Sequence, residues 1–200
     1  VHDGILSNLA IHQAVEAGDI QIDPFDPEQI NITSYDLTLG SEVRIYRDPS
    51  YPILDPDIYP DLVPPRVELD ARKEPTSMSW KFDSETGVLL HPGVGYLMHT
   101  RERICTTKYN PILDGKSSIG RLFIQVHATA GYGDPGFDGQ YTLEVIVQYP
   151  VRVYAGMRFC QIRFHTIAGE LSRTYDRVGH YTQEQAQGAV ASQAWRQFKS

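Results

Sequence analysis

Cysteine is nearly absent: Cys105 and Cys160 are the only two in 200 residues. So few thiols exclude a disulfide-stapled scaffold, and a chain this long can bury a real core without staples. The pair could bridge once, but two buried thiols is the expected state. No Cys-x-x-Cys occurs, no His-x-x-x-His pair occurs, and none of the seven histidines is followed two residues on by Glu. The ligand sets of zinc-dependent hydrolases are therefore missing, and no zinc or other protein-bound metal is expected. A Gly-x-Ser-x-Gly elbow is missing too, and with it that route to a serine nucleophile. There is no apolar run long enough to span a bilayer and no signal-peptide pattern. The expectation is a soluble, cytoplasmic protein without a membrane partner. Positive charge is short as well, with 18 Lys and Arg against 25 Asp and Glu, for a net charge of -7. That balance argues against nucleic-acid binding, which needs a basic face. It leaves room for a small anionic ligand in a local cationic pocket.

Apolar residues make up 41% and charged residues 22%, which is a globular rather than a disordered composition. One domain covering residues 1–200 is expected. Residues 4 to 18 read as a short helix, capped by Ser7 or Asn8, with Leu9, Ala10, Ile11, Ala14 and Val15 as its apolar stripe and Gly18 as its end. Residues 20–22 read as a short strand. Tyr35, Leu37 and Leu39 alternate as on a strand, and 41–46 continues that pattern. Residues 48–75, rich in Pro and Asp, read as an irregular excursion. Strands follow at 79–82, 88–90, 95–100 and 104–107, and Tyr109-Asn110-Pro111 reads as a turn, with one short helix expected between Pro111 and Gly120. Further strands are expected at 122–127, 141–148, 151–154 and 159–165. Many short strands at close spacing mean an all-β barrel or sandwich. The polar stretch 172–200 is a tail that is either mobile or folded over something.

Two stretches carry chemistry. Gly115-Lys116-Ser117-Ser118-Ile119-Gly120-Arg121 packs two cations, two hydroxyls and two glycines into seven residues. Lys and Arg supply charge, Ser supplies neutral donors, and Gly permits close backbone approach. That is an inventory for a phosphorylated ligand, although a solvated turn would read the same, and the spacing is not that of a Walker loop. Glu144 stands in the apolar run Tyr141-Thr142-Leu143-Glu144-Val145-Ile146-Val147. A carboxylate there is costly unless it is hydrogen-bonded or functional. His127 between Val126 and Ala128 reads as a satisfied core histidine as readily as a catalytic one, and Asp134 as the shaper of its Pro-Gly turn.

Taken together, Ser34-Tyr35-Asp36-Leu37-Thr38-Leu39-Gly40, the 115–121 stretch, His127-Ala128-Thr129-Ala130-Gly131-Tyr132-Gly133-Asp134-Pro135-Gly136-Phe137, Leu143-Glu144 and Gly156-Met157 closely resemble the dCTP deaminase family. The opening 5–25 and the tail 187–192 fit it as well. The resemblance implies a mainly β, dUTPase-like distorted barrel (a β-clip) with a short N-terminal helix. It also implies a homotrimer with active sites between subunits. The implied reaction is deamination of dCTP to dUTP and ammonia without protein-bound zinc. Glu144 would be the general base, and Ser117 with the Ala130 carbonyl would position the attacking water. Lys116, Ser118 and Arg121 would hold the phosphates, Asp134 the deoxyribose, and Phe137 would pack beside the sugar. His127, Thr129, Tyr175, Tyr181 and Gln187 complete the implied substrate contacts, and Mg2+ would enter on the triphosphate. Without a metal to acidify water, a positioned carboxylate must take its proton.

Three departures from the family pattern have consequences. Gly131 stands where strictly deaminating members often carry His. Glycine there resembles members that also hydrolyse the triphosphate, giving dUMP and diphosphate. The expected reason is a roomier turn able to adopt positive φ. His180-Tyr181 stands where the tail usually has Lys-Tyr. Residues 48–75 have no family counterpart. The alternatives are a dUTP diphosphatase that does not deaminate, and an inactive nucleotide-binding relative.

Overall fold

The computed structural model describes residues 4–47, 68–179, 181 and 187–199. Most of the excursion, residues 48–67, lies outside them, as does His180. The helix α1 runs Asn8–Glu16, and the Ser7 side chain accepts from the Ala10 amide at 3.4 Å. Ile11 and Ala14 face the core, whereas Leu9, expected in the apolar stripe, is 70% exposed.

Strands β1 (Gln21–Asp23), β2 (Tyr35–Thr38), β3 (Glu42–Tyr46), β4 (Ser77–Lys81), β5 (Val88–Leu90) and β6 (Tyr96–Cys105) follow. After them come β7 (Tyr109–Gly115), the one-turn helix α2 (Ser117–Gly120), β8 (Ile124–Gln125), β9 (Asp138–Val147), β10 (Val151–Val153), β11 (Arg158–Thr166) and α3 (Tyr175–Val178). The mainly β expectation holds. Two details differ. The expected 95–100 and 104–107 strands are one strand, β6, with a pairing irregularity between His99 and Arg103. Residues 109–111, expected as a turn, begin β7, and the expected helix contracts to 117–120. Pro111 pairs with Phe164 along the β11 ladder, so tertiary pairing overrides its turn propensity.

Among the described residues the largest sheet runs β4-β3-β6-β9-β8, with β1 on β6. A second sheet places β11 between β2 and β7, and β5 pairs with β10. All these pairings are antiparallel. The core is shared between the sheets, with Tyr35, Leu37, Met98, Leu143, Phe159, Ile162 and Phe164 all fully buried. No helix among the described residues is long and apolar enough to cross a membrane.

β2 is buried on both faces. Its apolar residues Tyr35 and Leu37 fill the core, so Asp36 and Thr38 must bury polar groups on the other face. Each finds partners. Both oxygens of the buried Glu102 accept from the Thr38 amide, at 2.9 and 3.2 Å, and the Thr38 hydroxyl donates at 2.6 Å. Gln29 Nε2 reaches the Asp36 carbonyl at 2.8 Å and Glu102 at 3.4 Å. Glu102 sits at the irregular stretch of β6, where Thr100 Oγ1, rather than a strand carbonyl, accepts the Tyr141 amide at 2.9 Å. Because Glu102 belongs to the large sheet and Thr38 to the small one, this carboxylate joins the two. Removing it leaves buried donors without acceptors. Glu102→Ala is expected to lower unfolding stability by about 2–4 kcal/mol, more than a single neutral hydrogen bond, as read by urea denaturation.

Candidate active site

β9 presents Gln140, Thr142 and Glu144 on one face, as period-two alternation requires. They line a cavity of about 430 Å³ together with Leu97 of β6 and Tyr46 of β3. The 127–137 segment forms a second wall through Ala130, Asp134 and Phe137, and Tyr175 and Tyr181 close a third side. Glu144 Oε2 is buried and, among the described residues, has no hydrogen-bond partner. A buried carboxylate oxygen left unsatisfied beside a cavity is the mark of a group waiting for substrate or water.

The aromatic wall is internally packed. Phe137 lies 4.8 Å from Tyr141 and 5.6 Å from Tyr175, centroid to centroid. Tyr141 is partly buried beside it. Burial first, and then the nearby Asp134 carboxylate, pushes its hydroxyl pKa well up, so it stays a neutral phenol. Asp134 itself is exposed at the rim.

The tail residues described lie on their own chain. Gly188 N donates to Gln140 Oε1 at 2.7 Å and Val190 N to Thr142 Oγ1 at 3.2 Å. Ser192 N reaches Tyr46 Oη at 2.9 Å, and Gln193 N reaches Tyr181 Oη at 3.1 Å. Arg44 Nε holds the Ala189 carbonyl at 2.7 Å. The body therefore grips tail backbone, and Val190 and Ser192 become cavity wall. Gln187 is exposed and lines no part of it.

The 115–121 stretch is elsewhere. Lys116, Ser117 and Ser118 line a separate cleft of about 730 Å³ with Asn31, Ser34 and Gln161. The two serines and Arg121 are exposed, and Arg121 has no ion-pair partner among the described residues. Lys116 is engaged: its Nζ contacts both oxygens of the buried Asp36, at 2.6 and 2.7 Å. The structure thus brings Glu144, Ala130, Asp134, Phe137, Tyr175 and Tyr181 together in one chain and leaves Lys116, Ser117, Ser118 and Arg121 outside that cavity.

His127 lies behind the loop rather than in the cavity. Its Nε2 is 3.1 Å from the Leu113 carbonyl, which makes Nε2 the donor, and Nδ1 is buried without a partner. Thr129 is exposed and lines neither cavity. The reason expected for Gly131 is corrected: its φ is not positive, and no open space surrounds it. A Cβ there would stand 2.4 Å from the Leu113 carbonyl oxygen and 2.7 Å from the His127 ring. Glycine lets residues 130–133 zip onto β7, with Leu113 N to Gly131 O at 2.7 Å and Gly133 N to Pro111 O at 2.9 Å.

Sequence reasoning missed Gln140, Thr142, Tyr46, Val190 and Asp36. The first two were findable from the Gln-x-Thr-x-Glu alternation on one strand face. Tyr46 and Val190 required knowing which distant strand and tail segment converge there.

Residues 5–167 match the model of the family described as dCTP deaminase-like. The chain belongs to the dCTP deaminase-like family. It is 36% identical over 181 residues to the protein named "dCTP deaminase, dUMP-forming" of Clostridium botulinum (strain Alaska E43 / Type E3), covering 90% of this chain and 91% of that one. The protein of the same name from Cytophaga hutchinsonii is 40% identical over 166 residues, covering 83% of this chain and 84% of the relative. The fold is similar to that of the 2'-deoxycytidine 5'-triphosphate deaminase from Agrobacterium tumefaciens, with a TM-score of 0.59 at 23% identity over 84% of this chain. The match spans 50% of that chain's length. The family match takes in Glu144, the 115–121 turn and the Gly131 loop, and stops short of the tail.

The contacts around Gly131 yield a stability test. Gly131→Ala is expected to push the loop off β7 and cost about 1–3 kcal/mol in urea unfolding, the range of an overpacking substitution. An open, roomy turn would instead tolerate the methyl group with no loss.

Proposed function

We propose that this protein deaminates dCTP and hydrolyses the triphosphate, releasing ammonia, diphosphate and dUMP. The observation that carries the reading is the buried, unpartnered Glu144 oxygen in a cavity with an aromatic wall. The relatives reported above, aligned over most of their length, carry names that specify dCTP deamination with dUMP as product. Such an enzyme supplies dUMP for dTTP synthesis.

The chemistry runs as follows. Water attacks C4 of cytosine while Glu144 accepts its proton. The same carboxyl passes that proton to N3, then takes the second water proton from the C4 hydroxyl of the tetrahedral intermediate and hands it to the departing amine, so that ammonia leaves and the C4 carbonyl of uracil remains. Ser117 and the Ala130 carbonyl orient the water. Asp134 holds the deoxyribose, Phe137 packs beside it, and Tyr175 and Tyr181 belong to the substrate surroundings. A second water then attacks the α-phosphorus, and diphosphate departs. Lys116, Ser118 and Arg121 hold the phosphates, and contacts this far from C4 supply binding energy that orients the base.

Ser117 and Glu144 line different cavities within one chain. This supports a homotrimer in which the 115–121 turn of a neighbouring copy faces the Glu144 cavity. The turn offers hydroxyl and cationic donors and no carboxylate, so it suits phosphate oxygens rather than a metal ion. Mg2+ therefore arrives on the triphosphate, where it neutralises part of the charge. The enzyme works in the cytoplasmic nucleotide pool. Neither a dUTP diphosphatase nor an inactive relative gives the unsatisfied Glu144 oxygen a task, so deamination is favoured over both.

Glu144→Gln preserves shape but cannot accept a proton. Ammonia release is expected to fall about 10³-fold while dCTP affinity stays within a few-fold. A variant that turns over within tenfold of wild type would remove Glu144 as the base. Ion-exchange chromatography of wild-type reactions should show dUMP and diphosphate accumulating with ammonia and no free dUTP. Accumulation of dUTP in step with ammonia would restrict the activity to deamination.

A further inference from the structure

Asp36 lies on β2 and is 1% exposed. Its two oxygens receive Lys116 Nζ at 2.6 and 2.7 Å, and Asn31 Nδ2 donates to Oδ1 at 2.7 Å. Arg158 stands 3.6 Å from Oδ2. A carboxylate so buried is tolerated only when paired and hydrogen-bonded, which it is. Lys116 is the part of this cluster that reaches the 730 Å³ cleft, where Asn31 is also a wall.

The pair is not needed merely to fasten the turn. Gln161 Nε2 already holds the Gly115 carbonyl at 2.8 Å, and Ser34 Oγ holds Gln161 Oε1 at 2.9 Å. The strand register places Gln161 opposite both Asp36 and Asp114, so these ties share one face of the small sheet. What the ion pair adds is the position of a charge. An ammonium has three N–H donors. Asp36 engages this ammonium through both carboxylate oxygens, on a side chain that lines the cleft and is only 22% exposed. A free lysine on a four-carbon stem would lose its rotamer freedom on binding an anion, whereas this one has lost it on folding.

We infer that Asp36 is a positioning residue: it fixes the Lys116 ammonium at the cleft wall and so sets the affinity of the cleft for a polyphosphate. The inference rests on the reading above that this cleft receives the triphosphate of the nucleotide. Asp36 itself touches no substrate and acts only through Lys116.

The test is a double-mutant cycle in the full chain with Asp36→Asn, Lys116→Met and the combination. The readouts are the dissociation constant of inorganic tripolyphosphate by calorimetry, and KM and kcat for dCTP. Each single variant is expected to raise both the tripolyphosphate constant and KM by roughly 10- to 100-fold, the worth of a charged hydrogen bond, and Asp36→Asn to keep kcat within about threefold of wild type. In the Lys116→Met background, Asp36→Asn should change the constant by less than about twofold, because no ammonium remains to be placed. Additive effects, or an unchanged constant in Asp36→Asn, overturn the inference, as does failure of wild type to bind tripolyphosphate. Asp36→Asn leaves two cations unneutralised and can fail to fold. Asp36→Glu then replaces it, keeping the charge but moving it by one methylene, and should raise KM with kcat retained. Wild-type affinity in Asp36→Glu, with Lys116→Met impaired, overturns the inference. The two readings fail separately. Absence of dCTP turnover with the tripolyphosphate cycle intact defeats the deaminase reading alone. Turnover of dCTP with Asp36 variants indistinguishable from wild type defeats the positioning role alone.

Discussion

The Glu102 carboxylate is the constraint on which the arrangement depends. It sits on β6 in the large sheet and takes the Thr38 amide and hydroxyl of β2 in the small one. A buried carboxylate is stable only if its lone pairs are satisfied, so its demand for donors fixes how the two sheets meet. β6 pairs with β9, which bears Glu144, and β2 pairs with β11, which in turn pairs with the strand leading to the 115–121 turn. Where the candidate base and the 115–121 turn stand on each chain is therefore tied to that junction.

Neighbouring carboxylates take different roles because their surroundings differ. Glu102 and Asp36 are fully partnered and structural in their own contacts. Glu144 keeps a buried oxygen free beside a cavity. Another wall is partly made of tail backbone held by Gln140, Thr142 and Tyr46 of the body and by Tyr181 of the tail itself.

Much of the fold was legible in the chain. Alternation in 35–39, 141–148 and 159–165 marks strands that exist, since one buried face forces a period of two. Legibility failed where tertiary pairing overrode local signals. Tyr109-Asn110-Pro111 has turn composition yet starts β7, because β11 supplies a ladder for it. Leu9 has the right spacing for the helix stripe yet faces outward. Gly131 looked like a glycine for conformational freedom and is instead a glycine for close approach, a distinction that lives in the position of the Leu113 carbonyl.

The sequence by itself determined the strand-rich class, the chemical inventory and, through ordered motifs, the family. Those are properties of residue type and local spacing, and they survive without coordinates. Only the tertiary structure decided that, among the described residues, Glu144 keeps an unpaired oxygen, that Lys116 is paired with Asp36, and that Ser117 and Glu144 do not share a cavity within one chain. Each of these depends on which distant strands become neighbours, and that is settled by the joint burial of β2, β6, β9 and β11 and by the requirement that every polar group buried with them find a partner.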